Sequence, residues 1–497
     1  MNKINVILAS LLMAATATTA TAGGILTNTN QSIDFLRNPA RDAAIGLDGV
    51  YSNPAGVAFL PEGLHLGFNW QYAHQTRTIT STNPYFALGR KNNGNTTKTF
   101  EGVADAPIIP SLQAAWNKGD WSLQFNFSIP GGGGKCEFDE GLGSFESVVG
   151  NIAHQLSPLG AQGYDMDGYM QGRQYYYGFQ LGAAYKINPH LSVYGGLRLL
   201  YGDATYKAKI SNIMVNTAAG YLDFSSFMQN ATATIDGGLA KVSAGMEQME
   251  ALGATASPQY AELAAQKAQL EGTRQSLSAL QKYNDGVNLK CDQTGLGIAP
   301  VLGIDYQVGP FNFAAKYEFK TQLRMKNNST VNEASEIPAV NKFRDGEKVD
   351  EDAPALLTVG AQWSFLDNAR LNLGYHHFFD KNVSWYGNTQ ELLDHDTNEF
   401  LAGVEWDFSD RLTASVGGQL TRYGMSDQYM NDMSFVVNSY TFGFGANYKL
   451  SDVVTLKAAY FQTNYETYDR KDYPAAGISD SFTRTNRVLG IGCEVTL

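Results

Sequence analysis

Seven histidines and three cysteines hold most of this chain's capacity for nucleophilic, redox or metal chemistry. Their placement works against all three. A side-chain nucleophile needs a histidine beside it, itself oriented by a third group. Here the histidines are scattered: alternation puts His65 and His376 on the polar face of their segments and His377 on the apolar face, while His154 and His395 fall in loops. Neighbouring strand residues point to opposite faces, so His376-His377 has poor geometry for a shared metal. No catalytic residue, metal site or cofactor is expected, and the chain does not read as an enzyme. Cys136 and Cys291 both fall in segments expected to be long loops on the same side, where an oxidising exterior would permit a disulfide between them. Cys493 lies on the apolar face of the last expected strand and reads as a small hydrophobe.

Binding chemistry has more to work with. A carboxylate-bearing amphiphile needs an apolar trough with a cation at one end. Alternation puts Lys186, Arg198, Lys316, Lys320, Lys449 and Lys457 on polar faces, interrupted by apolar Leu200, Val301, Phe378 and Phe461. These four are candidate trough walls; Arg198, Lys316 and Lys320 are the candidate cations. Buried charges are normally paired. Arg198 is therefore expected to meet Glu405, Asp305 or Asp407, and Lys316 and Lys320 to flank Glu318 in an ion-pair ladder.

The elements that must position these residues are strands. In Trp121-Ser122-Leu123-Gln124-Phe125-Asn126-Phe127-Ser128-Ile129 every odd residue is apolar and every even one polar, which on a strand makes one greasy face and one wet face. Such segments recur as hairpins with turns of a few residues, at 117–120, 188–190, 309–310, 367–368, 409–410 and 451–452. The count is about fourteen strands, an even number, as a closed antiparallel barrel with both ends on one side prefers. On the other side lie long loops, 82–107, 131–172, 212–293 and 326–352. Residues 221–286 are rich in Ala, Gln, Glu and Met, with Leu263, Leu270, Leu277 and Leu280 at helical spacing and Pro258 dividing them. That predicts a helical hairpin within an extracellular insertion spanning 214–293. Aromatic residues gather near strand ends (Trp70, Tyr72, Trp116, Trp121, Tyr185, Trp363, Trp406, Tyr448), as in interfacial girdles. The fold class is thus all-β, a transmembrane antiparallel barrel.

The N-terminus agrees with export. Lys3, an apolar stretch to Ala15 and Ala20-Thr21-Ala22 have the form of a secretory signal peptide over 1–22. Beyond it no run of eighteen apolar residues predicts a spanning helix. A mean hydropathy of -0.25 suits strands with one polar face, and a net charge of -12 argues against nucleic acid as a partner. Residues 63–497 form the expected barrel. Residues 23–62 fit neither strand nor linker, and a bore of this size needs filling, so they are expected to lie inside as a plug.

Just before the first strand stands Asn53-Pro54-Ala55, and the third strand breaks at Pro130-Gly131-Gly132-Gly133-Gly134. At these positions, and in strand number, the chain resembles the FadL/TodX family of outer-membrane transporters for long-chain fatty acids and other hydrophobic compounds. A second Asn-Pro-Ala, at 38–40, lies too far from the strand to match. The resemblance implies a hatch carrying Asn53, Pro54 and Ala55, a hydrophobic ligand passed into the barrel, and sideways exit at the third-strand break. It implies a Gram-negative-type outer membrane, contact with its lipid, and a monomer. Pro130 cannot donate to a ladder and the glycines let the backbone bulge, which suits a local loss of pairing. The helical insertion and the terminal Leu497, where an aromatic is common, depart from the pattern. Two other functions fit the same barrel: a porin for small polar solutes, and a surface adhesion or structural protein built around the insertion.

Overall fold

The computed structural model describes residues 26–27, 32–331, 338–473 and 476–497; the predicted signal peptide lies outside them. Fourteen strands close an antiparallel barrel. They are β1 Gly63–Thr82, β2 Thr97–Lys118, β3 Trp121–Phe138, β4 Gly163–Asn188, β5 Leu191–Thr217, β6 Val287–Val308 and β7 Phe311–Glu318. There follow β8 Leu356–Leu366, β9 Ala369–Phe378, β10 Thr397–Ser409, β11 Leu412–Arg422, β12 Ser439–Lys449, β13 Val454–Tyr465 and β14 Ser479–Thr496. Each strand pairs with the next, and β14 returns to β1 in an unbroken ladder from His65–Thr496 to Thr82–Ser479. Short strands at Gly220–Asp223, Arg324–Val331, Lys348–Asp350 and Tyr468–Arg470 extend this sheet at the long-loop end.

Burial is inverted relative to a water-soluble sheet. Along β3, Trp121 and Leu123 are 56% and 48% exposed while Ser122, Gln124 and Asn126 are 0 to 2% exposed. An apolar exterior over a polar interior is stable only where the outer solvent is hydrocarbon, so the strands cross a membrane. β8 and β9, at 11 and 10 residues, have the length a tilted strand needs to span a bilayer. Aromatic rings ring the band at both edges. Trp121–Tyr185 (4.8 Å between centroids) and Phe311–Trp363 (6.1 Å) stand near the short turns. Tyr177–Tyr201 (6.3 Å) and Tyr317–Phe379 (6.0 Å) stand at the far edge. Among the described residues no helix is long and apolar enough to cross a membrane.

Several strands do not stop at that far edge. β4 and β5 run for 26 and 27 residues, far more than a crossing needs, and β2, β3 and β6 also continue into stretches expected to be loop. The reason is a change of phase. On β1 the outward residues are Leu64, Leu66 and Phe68 within the membrane, then Thr76, Thr78 and Thr80 beyond it, while the inward ones change from His65 and Asn69 to Ile79. Alternation survives, but beyond the bilayer its apolar face turns inward. Cys136 and Cys291 belong to this upper region: they lie in β3 and β6, not in loops, and are buried free thiols. The apolar faces of their strands pack them into the same interior cluster as Phe100, Phe138, Tyr206 and Leu289.

Helices cover the mouth. α2, Gly143–Gln155, buries Val149, Ile152 and Ala153 there, following the short α1, Ile33–Arg37, inside the bore. α3, Phe224–Ala251, and α4, Pro258–Leu280, form an antiparallel hairpin. Asp223 and Ser257 cap their N-termini through Ser226 N and Tyr260 N. Pro258 stands in the first turn of α4, where its missing N–H has no partner to lose.

Candidate functional site

The segment 32–60 lies inside the bore and is anchored to the wall by a repeated device: barrel side chains donate hydrogen bonds to its main-chain carbonyls. Asn117 Nδ2 reaches Val57 O (2.8 Å), Gln124 Nε2 Pro54 O (2.7 Å), Gln180 Nε2 Val50 O (3.0 Å) and Ser192 Oγ Ala55 O (2.7 Å). Asn312 Nδ2 reaches Ala43 O (2.7 Å) and Lys316 Nζ reaches Tyr51 O (2.8 Å). A segment with only one short α-helix leaves many carbonyls unmet, and buried carbonyls need donors. The polar face of the barrel supplies them.

Asn53-Pro54-Ala55 is the most closely held part. Asn53 Nδ2 donates to Asp305 Oδ2 on β6 at 2.6 Å, and Asn53 Oδ1 accepts from Gly56 N at 3.2 Å. Ala55 is fully buried against Val301, Ala184 and Tyr194. Val301 is therefore covered by the hatch rather than open as a trough wall, and Phe461 likewise faces Phe35 of α1 at 5.6 Å. Asn38 of the other Asn-Pro-Ala meets the wall at Gly403, where a Cβ would collide with its side-chain oxygen. Gly443 similarly leaves room for Leu36 O. Inward glycines on β10 and β12 thus mark where the hatch backbone touches the barrel (a signal present in the sequence and missed there).

Charge completes the docking. Arg37 and Arg41 of the hatch meet Glu405 on β10 at 2.7 and 2.6 Å. Arg37 also pairs with Asp34 (2.8 Å), Arg41 with Asp48 (2.8 Å), and Lys457 of β13 with Asp34 (2.6 Å). Glu405 therefore does not pair with Arg198. That arginine is held by Glu318 Oε2 and by Gln180 Oε1 (2.6 Å), Asp305 by Asn53 and Asn312, and Asp407 by Arg370 (2.6 Å). Arg198 meets none of its three expected partners: hatch arginines take Glu405, Asn53 of the hatch takes Asp305, and Arg370 on the neighbouring strand β9 takes Asp407. Lys316 does meet Glu318, at 2.6 Å, but Lys320 lies past the end of β7 and reaches Asp352 at 3.4 Å. Arg198 and Lys316 also flank the Tyr51 ring, 4.9 and 5.0 Å from its centroid. In this arrangement both cations hold the hatch.

Phe378 and Lys316 line a cavity above the hatch with Leu26, Phe35, Leu356 and His376. His376 pairs with both neighbouring acids: its Nδ1 is 2.8 Å from Glu399 Oε2 and its Nε2 2.9 Å from Asp42 Oδ1. The cavity is about 30 Å³, room for a water or two. Leu200 sits higher, in the apolar core of the upper barrel.

The wall itself is interrupted beside the hatch. The β2–β3 ladder runs from Lys118–Trp121 to Leu112–Phe127, is lost, and resumes at Ala104–Cys136. The interruption takes in Pro107 and Pro110 on one side and Pro130 to Gly134 on the other. Opposite, the β3–β4 register slips between Ser128 and Gly131 and again between Gly131 and Gly134. Gly132 and Gly134 adopt φ of 108° and 69°, and a side chain on Gly132 would strike Gln174 O. The break lies level with Gln71 and Ala73 of β1, next to Tyr72 near the outer edge of the apolar band. On its inner side Ala106 and Ile109 join the cluster of Ile33, Phe35, Leu36 and Phe461. An apolar surface therefore runs from the hatch to the break.

A plugged membrane barrel with an interrupted wall defines a class, and comparison with solved structures places the chain's fold within it. A FadL homologue from Pseudomonas aeruginosa superposes with a TM-score of 0.60 at 12% identity, over 95% of this chain and 99% of its own. The toluene transporter TodX of P. putida gives 0.54 at 13% identity, over 96% and 99%. TbuX, the toluene transporter of Ralstonia pickettii, gives 0.50 at 15% identity, over 94% and 98%. Protein-family models and curated proteins give no match. The chain has the FadL/TodX fold.

Proposed function

We propose that this chain is an outer-membrane uptake channel for hydrophobic compounds, fatty acids among them, in which movement of the hatch opens a path and the solute leaves sideways between β2 and β3. The observation that carries this reading is the lost β2–β3 ladder backed by the apolar surface reaching from Ala106 and Ile109 to the hatch. A barrel wall normally satisfies every backbone group, so an interruption at membrane depth has a structural cost that a lateral exit explains. The folds it resembles include proteins described as toluene transporters, which supports an apolar solute. The cavity lined by Phe378, Lys316 and His376, at about 30 Å³, is too small for a ligand of that size, which supports a route opened by a shift of the hatch. A porin for polar solutes needs an open bore, which the seated segment does not leave.

The test is uptake of a radiolabelled fatty acid by liposomes carrying the full chain, against a variant with residues 131–134 made β-branched. Uptake by the native chain and its loss in the variant are expected. Equal uptake by both would remove the lateral route. Steady large conductance of the native chain in planar bilayers would favour the porin.

A further inference from the structure

Beyond the outer edge of the apolar band the barrel's exterior differs from one sector to another. On β1 and β14 the outward positions carry Thr76, Thr78, Thr80, Thr483 and Thr485. Four strands away, on β5, β6 and the short strands Arg324–Val331 and Lys348–Asp350, lysines collect instead. Lys207 stands directly opposite Lys290, and Lys326 directly opposite Lys348. Their strand neighbours Tyr206, Cys291, Met325 and Val349 are buried in the interior, so alternation turns all four lysines outward.

Like charges directly opposite each other across a ladder are destabilising, and this chain, at a net charge of -12, has acids to spare. Those on this face do not relieve the repulsion. Asp203 is taken by Arg173 (3.0 Å) and Asp350 by Arg324 (3.2 Å). Asp292 accepts from Thr205 Oγ1 at 2.7 Å and reaches Lys290 only at 3.7 Å. Glu137, two strands from Lys207 in the same row, is taken by Lys135 at 2.8 Å. Among the described residues Lys207, Lys326 and Lys348 have no carboxylate within 4 Å.

Height separates the two pairs. The outward row Tyr177–Tyr201–Leu296 lies at the membrane edge. Lys326 and Lys348 belong to the outward row two residues further on, which runs through Asp203 and Thr294. Lys207 and Lys290 lie six residues beyond Tyr201 and Leu296. At about 3.3 Å per residue and a strand tilt of about 40°, the pairs stand roughly 5 and 15 Å above the edge. The head groups of a phospholipid leaflet fill only about 5–8 Å. The lower pair is therefore at phospholipid head-group depth, and the upper pair is beyond it.

We infer that this face binds an outer-leaflet lipid with a tall head carrying several phosphates, a phosphorylated saccharide lipid. Phosphate close to the acyl chains sits between Lys326 and Lys348, and phosphate further along the saccharide sits between Lys207 and Lys290. Lysine binds phosphate as a point charge, and an anion between each pair removes its repulsion. The surface continues the wall's lipid contact upward and is independent of which solute the channel carries.

The experiment measures binding of fluorescently labelled rough lipopolysaccharide to the full-length protein in non-ionic detergent, with divalent cations removed. Its dephosphorylated form and phosphatidylglycerol are the comparison probes. Lys207→Gln with Lys290→Gln, and Lys326→Gln with Lys348→Gln, should each weaken the intact lipid by about 25-fold, about fivefold per lysine near an anionic membrane surface. The dephosphorylated form should bind the native chain at least ~10-fold more weakly, and phosphatidylglycerol should respond to the lower pair alone. Lys241→Gln with Lys267→Gln, on the helical hairpin, removes the same charge and should leave binding within about twofold, since exposed charges further apart than a Debye length are screened. Both lysine-pair variants should keep the heat-modifiable band to at least the native temperature, because a repulsion is removed. Equal binding of the dephosphorylated form, or a hairpin variant weakened as much as the lysine pairs, would overturn the inference. So would competition by short single-stranded DNA as strong as by the unlabelled lipid, which would make the face a site for polyanions in general.

Discussion

The hatch should be held by a small number of separable hydrogen bonds, and Asn53 is the place to measure one. Asn53→Ala removes the 2.6 Å bond to Asp305, leaving that carboxylate with Asn312 as its remaining side-chain donor, at 2.9 Å. With the hatch seated, Asp305 is fully buried and no water replaces the lost donor. With the hatch displaced, water reaches it. The substitution therefore penalises only the seated state, by about 2 kcal/mol for a hydrogen bond to a charged group, a shift of roughly 30-fold toward the displaced state. Gln124→Ala removes a neutral bond to Pro54 O and should shift the same equilibrium only about fivefold, for about 1 kcal/mol. Channel openings in planar bilayers report the displaced fraction, and protease access to residues 32–60 reports it independently. The unfolding temperature of the barrel should barely move, since no wall ladder is touched. Opening and cleavage within threefold of the native chain for Asn53→Ala, or an effect no larger than that of Gln124→Ala, would show that this contact does not govern the hatch.

Three further outcomes follow from the geometry. Glu405→Ala leaves Arg37 and Arg41 without their shared carboxylate and should loosen the hatch by about 3–5 kcal/mol, more than Asn53→Ala; equal cleavage rates would contradict that. Gly132→Val forces a side chain into a backbone with φ of 108° and should cost the folded barrel ~1–3 kcal/mol, seen as a lower temperature for loss of the heat-modifiable band, whereas Gly131→Val, outside the left-handed region, should cost less. In the outer loops, burial raises the Asp432 carboxyl to about 6, helped by Asp480, and the Asp380 carboxyl to about 7, helped by Asp396. Both lie above the unfolded value of about 4, so the folded mouth retains protons that the unfolded chain has lost. Their stabilisation is complete below about pH 4, declines as pH rises through 6 and 7, and is absent at pH 8; for Asp432 it is about 3 kcal/mol at most. Loop protection against protease should therefore fall between pH 5 and pH 8, and Asp432→Asn with Asp380→Asn should flatten the dependence.

The membrane-crossing part of the fold was legible because each strand advertises both of its solvents: Trp121, Leu123 and Phe125 face lipid and Ser122, Gln124 and Asn126 face the bore, so strand number and turn positions can be read directly. The upper strands were read as loops because their apolar face turns inward beyond the bilayer, as on β2, where Phe100 and Ala104 face in and Thr99 and Glu101 face out, and the composition no longer resembles a crossing segment. Asn53-Pro54-Ala55 could be located but not its partners, since Asp305, Gln124 and Ser192 come from three separate strands. Of the candidate cations, Lys316 meets Glu318 as expected, whereas Arg198 takes Glu318 instead of Glu405, Asp305 or Asp407, and the hatch, invisible to strand alternation, brings its arginines to Glu405 and places Tyr51 between the two cations. Lys207 and Lys290 become a pair only through the register of β5 on β6, with the helical insertion between them in the chain.

The register of β14 on β1 carries a consequence for biogenesis. Leu64 and Leu497 exchange both backbone hydrogen bonds, so the wall closes only when β14 meets β1. The hatch precedes the first strand, and its carbonyls are held by side chains on strands synthesised long after it. An assembly factor handling this chain must therefore keep the hatch within reach of an unfinished sheet until β14 meets β1, and loss of β14 as a whole should leave β1 and β13 with unpaired edges and the hatch without an enclosure.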